Sequence, residues 1–266
     1  MTPLGGGPAP VATGRFGGRV AVVTGGGSGL GEAIAALLGA LSAHVVVVDI
    51  DADTAAHVAT AITDGGGHAT AVTADVTQEP DVVEIVRIAE AAGGLHGLVL
   101  SAAVEVRANL DATTDEDWQR VIDVNLKGPF LCMKHAIPAI RRTGGSIVAL
   151  GSTLGAIGNP GYAAYCASKG ALVNLCKQAA IEEAPHGVRV NVVSPSACDT
   201  GLFQRVVAAS EDPDALERFV AGNVPMGRLG TAADVSEAVL YLLGDESSYV
   251  SGTVLALDGG LAARRV

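Results

Sequence analysis

Aromatic residues are scarce in this chain, 3% of 266 residues, so Ala, Val, Leu and Gly must fill the interior. Such small side chains suit helices laid closely on a sheet. Lysine is almost as rare: Lys127, Lys134, Lys169 and Lys177 are the whole complement. With a formal net charge of -11 and no Lys/Arg-rich run, the chain lacks the cationic surface that nucleic acid or an anionic membrane recruits. Its acidity reads as serving solubility. No stretch of about 18 uninterrupted apolar residues is present, so no transmembrane helix is expected. The N-terminal segment lacks the apolar core of a secretion signal. Cys132, Cys166, Cys176 and Cys198 show neither zinc-knuckle nor redox-motif spacing. They read as reduced, mostly buried thiols of a cytoplasmic protein. The histidines are scattered without metal-ligand spacing, and no metal is expected.

What is present is a regular alternation. Apolar, β-rich runs at 19–24, 44–49, 68–75, 97–102, 145–152, 188–194 and 252–260 alternate with longer helical patterns. Continuous Val and Leu runs indicate strands buried on both faces. Repeated strand–helix units imply right-handed crossovers and a parallel sheet. The fold class is therefore α/β: a doubly wound, Rossmann-type parallel sheet of about seven strands in one domain. Residues 1–18 read as a flexible leader and 19–260 as the domain. Residues 200–225 form a helical lid, and 261–266 a tail.

TGGGSGLG (24–31) lies between the first strand and the first helix. Glycines there let the backbone turn sharply and approach a pyrophosphate, whose charge the helix N-terminus favours. Gly25, Ser28, Gly29, Leu30 and Gly31 are the candidate contacts. The spacing is neither GxGxxG nor a P-loop. Asp49 ends the second strand, where a carboxylate accepts from adenosine ribose hydroxyls and repels a 2′-phosphate. Position 28 is Ser rather than Arg, so NAD(H) is expected over NADP(H). In YAAYCASK (162–169), Tyr165 and Lys169 are four apart and share a helix face; Tyr162 does not fit that spacing. A free tyrosine with a pKa near 10 is a poor base. A nearby ammonium and a positive nicotinamide lower that pKa and let the phenol exchange a proton with a substrate hydroxyl. Ser152, at the end of a strand, would hold the substrate oxygen.

These residues resemble the short-chain dehydrogenase/reductase family, small single-domain type, over nearly the whole chain. TGGGSGLG resembles the family's TGxxxGxG, YCASK its YxxxK, and Ser152 stands at its serine spacing. The resemblance implies Asn125 as a fourth catalytic member supporting a water relay. It also implies Asp75 and Val76 beside adenine and Ile50 on its face. Pro195, Cys198 and Thr200 would lie along the nicotinamide segment. A homotetramer built through the helices near 115–142 and 165–184 and the last strand is implied as well. Two departures stand out. The family's Asn-Asn-Ala-Gly is Leu100-Ser101-Ala102-Ala103 here, so the bracing asparagine is replaced by a shorter serine. Pro195 is followed by Ser196 instead of glycine.

The expected activity is interconversion of a secondary alcohol and a ketone, on a small apolar or cyclic molecule lined by Leu154, Tyr162, Leu202 and Phe203. Packing of the same residues against the domain is an equal reading for the lid. The alternatives are an NAD-binding sensor without catalysis and an epimerase or dehydratase. The last carries a larger C-terminal region than this chain has after Lys169.

Overall fold

The computed structural model describes residues 14–208, 210 and 212–263. In chain order the main elements are β1 (Val20–Thr24), α1 (Gly29–Ala40), β2 (His44–Asp49), α2 (Ala52–Asp64), β3 (His68–Thr73), α3 (Glu79–Ala91) and β4 (Gly97–Leu100). The chain continues through α4 (Asp115–Ile122), α5 (Gly128–Thr143), β5 (Ser146–Leu150), α6 (Ala163–Glu183) and β6 (Arg189–Pro195). It finishes with α7 (Gly201–Ala208), α8 (Pro213–Asn223), α9 (Ala232–Leu243) and β7 (Val254–Leu257).

All seven strands are parallel, in the order β3-β2-β1-β4-β5-β6-β7. The chain runs outward from β1 to β3, then returns to the other side of β1 with β4. That reversal opens a crevice at the carboxyl ends of β1 and β4, where such sheets bind ligands. Strands β1, β4 and β5 are buried along their whole length, which is why they read as unbroken apolar runs. The outer strands β3 and β7 keep partly exposed residues.

Each sheet face carries its own core. On one, Ile34 and Leu38 of α1, Val58 of α2 and Val239 and Leu240 of α9 pack on Val23, Val45 and Val47. On the other, Ile85 of α3, Ile140 of α5 and Leu172 of α6 pack on Val22, Leu98 and Ile147. Each such side chain removed from water contributes about 1.5–3 kcal/mol. Helices α4 and α5 meet through a π-turn, Asp123–Lys127, whose wider loop carries the fully buried Asn125.

The leader assigned to 1–18 is shorter than expected. Phe16 is 3% exposed within the α1/α9 layer, and its amide donates to Leu41 O at 3.0 Å. Arg15 and Arg19 pair with Glu246 and Asp245. Burial of one aromatic ring therefore anchors residues 14–18; the remainder of the leader lies outside the described residues. In the tail, 261–263 form a turn held by Asp258, whose carboxylate accepts from the amides of Gly260 and Ala262. Residues 264–266 lie outside the described residues. Residues 200–225, expected as a lid, include two short helices, α7 and α8.

Candidate active site

A cleft of about 390 Å³ opens at the crevice between β1 and β4. Its lining includes Gly25, Ser28, Gly29, Leu30, Asp49, Ile50, Asp75, Val76, Ser101, Ala102, Ala103, Tyr165, Lys169 and Thr200, all anticipated from sequence. A larger cavity, about 530 Å³, sits at the other end of the strands around Arg19, His96 and Arg189, far from these groups. The smaller cleft is the functional candidate because the reactive side chains converge there.

The floor of the cleft is the turn after β1. Gly25 and Gly29 have φ of +63° and +58°, a left-handed backbone that glycine adopts without strain. A Cβ on Gly25 would meet Ala102 Cα at 2.7 Å, and one on Gly31 would meet Gly25 O at 2.0 Å. Gly31 thus serves the packing of the turn and does not line the cleft. A Cβ on Gly29 meets nothing within 4 Å, so open space lies over the N-terminus of α1. A pyrophosphate fits this cradle, with the helix dipole beneath it.

Asp49 stands at the end of β2 with its carboxylate already engaged. Oδ2 accepts from Gly27 N at 3.0 Å and Oδ1 from Asp51 N at 3.2 Å. Ile50 beside it is 70% exposed and forms an apolar rim. Asp75 accepts from Thr77 N at 2.9 Å and is thereby fixed after β3.

Thr24 ties the end of β1 to β4 and the turn that follows it. Its hydroxyl donates to Val99 O at 3.3 Å and accepts from Ser101 N and Ala102 N at 3.2 and 3.4 Å. Bracing of β1 against β4 therefore comes from a side chain on β1. Thr24 was visible in the glycine motif, but only the parallel β1–β4 pairing reveals its partners.

Lys169 and Tyr165 both enter from α6. Lys169 is 3% exposed, and its Nζ donates to Leu150 O at 2.7 Å and lies 5.6 Å from the Tyr165 ring centroid. Burial pulls its pKa down to about 8. Burial pushes the Tyr165 phenol up to about 12, helped by the charge of Glu105 and opposed by a hydrogen bond from Ser152. The expectation that Lys169 lowers the tyrosine pKa is thus not met by the protein alone. Desolvation of both groups outweighs their attraction, and the ammonium is turned toward a carbonyl. Ser152 also accepts from Leu154 N at 3.2 Å, which fixes the loop after β5.

Asn125 lies behind the cleft and does not line it. Its amide accepts from Val104 N at 2.8 Å and donates to Val104 O at 2.8 Å and Ser168 Oγ at 3.2 Å. Ser168 in turn donates to Tyr165 O at 2.8 Å. Ser168 was missed from sequence although it sits inside the YCASK motif, three residues after the tyrosine.

Pro195 and Cys198 are buried beside the cleft and outside its lining; Pro195 pairs with Leu257 in the sheet, and Cys198 bridges to Gly230. The Cys198 thiol is pushed up to about 11 by burial, as an inert cysteine would be. Among the substrate candidates, Tyr162 packs edge-on to Tyr165 with ring centroids 6.3 Å apart. Leu154, Tyr162 and Phe203 are not part of the cleft's lining. The side chain of Leu202 lies outside the described residues. Phe219 of α8 is 69% exposed. Glu105 and Arg107, also missed, follow β4 as two charges in an otherwise apolar stretch.

Among the described residues no cluster of His, Cys, Asp or Glu could hold a metal ion, and no helix is long and apolar enough to cross a membrane.

Comparison with known proteins agrees with this geometry. A family model described as Enoyl-(Acyl carrier protein) reductase matches residues 25–262. The chain is 38% identical over 252 residues to 2-(S)-hydroxypropyl-CoM dehydrogenase 3 of Xanthobacter autotrophicus, covering 94% of this chain and 98% of that one. It is 40% identical over 251 residues to cis-4-hydroxycyclohexanecarboxylate dehydrogenase of Sinomonas cyclohexanicum, covering 93% and 98%. The crystal structure of an NAD+-bound xylitol dehydrogenase superposes with a TM-score of 0.87 at 30% identity, covering 92% of this chain and 100% of that one. The chain belongs to the short-chain dehydrogenase/reductase family and is an oxidoreductase of CH–OH groups that works with a nicotinamide cofactor.

Proposed function

We propose that the protein interconverts a secondary alcohol and a ketone on an apolar or cyclic substrate, with NAD(H) preferred over NADP(H). The observation that carries this reading is the convergence of the Tyr165 and Lys169 side chains on one cleft, with Ser152 acting on the Tyr165 phenol and Asn125 bracing Val104 of the wall.

Ser152 and Tyr165 hold the substrate oxygen between their hydroxyls, and Tyr165 moves the proton at that oxygen. When bound, the nicotinamide supplies the hydride acceptor or donor, and its oxidised, positive form opposes the burial that keeps Tyr165 protonated. Lys169, drawn down to about 8, exchanges a proton near neutral pH and can recharge the tyrosine. The side chain of Asn125 is committed to Val104 and Ser168. Asn125 is the residue expected to support a water relay to Lys169. Gly25, Ser28, Gly29, Asp49, Asp75 and Thr200 hold the cofactor. Asp49 carries the NAD preference: a 2′-phosphate there would face a carboxylate, and Lys169 is the one cation lining the cleft among the described residues. Exposed Trp118, Phe130 and Ile181 on α4, α5 and α6 support the homotetramer expected from the family.

The test is initial rates with NAD+ across a panel of secondary alcohols, wild type beside Tyr165→Phe, repeated with NADP+. Turnover lost in the variant with NADH binding retained supports the mechanism. Binding of NADH without turnover of any alcohol favours a sensor, and a strong NADP+ preference refutes the role of Asp49.

A further inference from the structure

We infer that Arg107 is a specificity residue that receives an oxyanionic group, carboxylate or sulfonate, at the outer end of the substrate. This inference rests on the alcohol–ketone reading above and adds to it the charge and orientation of the substrate.

The segment after β4 is tied at both ends to the catalytic region. The amide side chain of Asn125 grips both main-chain groups of Val104, and Ala108 N donates to Gly161 O at 3.1 Å. Residues 105–107 therefore span from Asn125 to Tyr162, following Val104 of the cleft wall. Arg107 is exposed, with its guanidinium over the Tyr162 ring, 4.8 Å from the centroid. Tyr162 in turn stands 6.3 Å from the Tyr165 ring. Among the described residues no carboxylate forms an ion pair with Arg107. An aromatic platform under a planar cation orients its fork without neutralising it.

Glu105 is half-buried and acts on both Tyr165 and Tyr162, whereas Arg107 acts on Tyr162. Arg107 thus orients a substrate with its oxyanion outward and its carbinol inward at Tyr165.

The test compares cis-4-hydroxycyclohexanecarboxylate with its uncharged carboxamide, with NAD+ saturating, in wild type, Arg107→Ala and Arg107→Lys. The acid-to-amide ratio of kcat/KM falls about tenfold in Arg107→Ala, the size of one charge-assisted hydrogen bond at a partly exposed position. The loss lies in KM more than in kcat, and Arg107→Lys retains part of the ratio. Added salt erodes the wild-type preference and leaves the alanine variant unchanged. An unchanged ratio in Arg107→Ala, with acid and amide weakened alike, overturns the inference and leaves Arg107 as packing for Tyr162. Failure of the acid while neutral alcohols turn over in a Tyr165-dependent way also overturns it, with the alcohol–ketone reading intact. If no alcohol reacts in protein that binds NADH, that reading fails first and this inference falls with it.

Discussion

Replacing Lys169 by methionine tests the claim that a fully desolvated ammonium sits under the reacting tyrosine. Lys169 is 3% exposed and its pKa is drawn from 10.5 to about 8. Between those values the unfolded chain binds more protons at this position than the folded one, so stability rises with pH across that window. At about 1.4 kcal/mol per pKa unit, the gain from pH 7 to pH 10 is about 2.5 kcal/mol. Methionine keeps the volume and has no charge to desolvate. The variant is therefore the more stable protein at pH 7, and wild type closes the gap as pH rises. Raised pKa values of Tyr165, Cys132 and Cys198 act in the opposite sense, because their unfolded forms lose protons first. The contributions of Cys132 and Cys198, whose shifts do not involve Lys169, are common to both proteins and cancel in the difference. Urea unfolding of both at pH 7, 8, 9 and 10 reads the effect directly. Two stability curves that stay parallel within about 0.5 kcal/mol would show that Lys169 keeps an ordinary pKa, and the relay assigned to it would lose its physical basis.

Asn125→Ala removes three hydrogen bonds from a residue with no exposed surface and strands both main-chain groups of Val104. It costs about 2–4 kcal/mol and lowers Tm by about 5–15 °C in a thermal scan; a shift under 2 °C refutes the clamp. Arg141→Met breaks a two-pronged pair, 2.7 and 2.7 Å, with Glu183, whose carboxylate is 3% exposed and held below its usual pKa by Arg141. Stranding that buried carboxylate costs about 1–3 kcal/mol at neutral pH. The cost shrinks as pH falls through the carboxylate range, because Glu183 protonates more readily in the variant. Denaturant midpoints at pH 7 and pH 4 check both parts, and an equal loss at the two values would contradict the pairing.

Much of the architecture was legible because local chemistry and global position agree. Unbroken Val and Leu runs can only be strands buried on both faces, and each was followed by a helical period. Tyr165 and Lys169 were legible because four residues make one helical turn, and Asp49 because the end of the second strand faces the crevice. Partners brought together by strand pairing were not. Thr24 braces β4 only because β1 and β4 are neighbours, although 73 residues separate the end of β1 from the start of β4. The grip of Asn125 on Val104 depends on a π-turn that no periodicity announces. The state of Tyr165 in the protein alone was not legible from sequence, since proximity to Lys169 suggests an ion-pair logic, while burial, a property of the whole fold, dominates. Glu105 and Arg107 looked like loop charges until the Ala108–Gly161 tie set them beside Tyr162. By itself the sequence determined the order of strands and helices and which side chains are the catalytic candidates, because both follow from short-range patterns. Only the tertiary structure decided which groups are dry, which are braced and which charges face the reacting oxygen, because desolvation and electrostatics depend on neighbours distant in the chain.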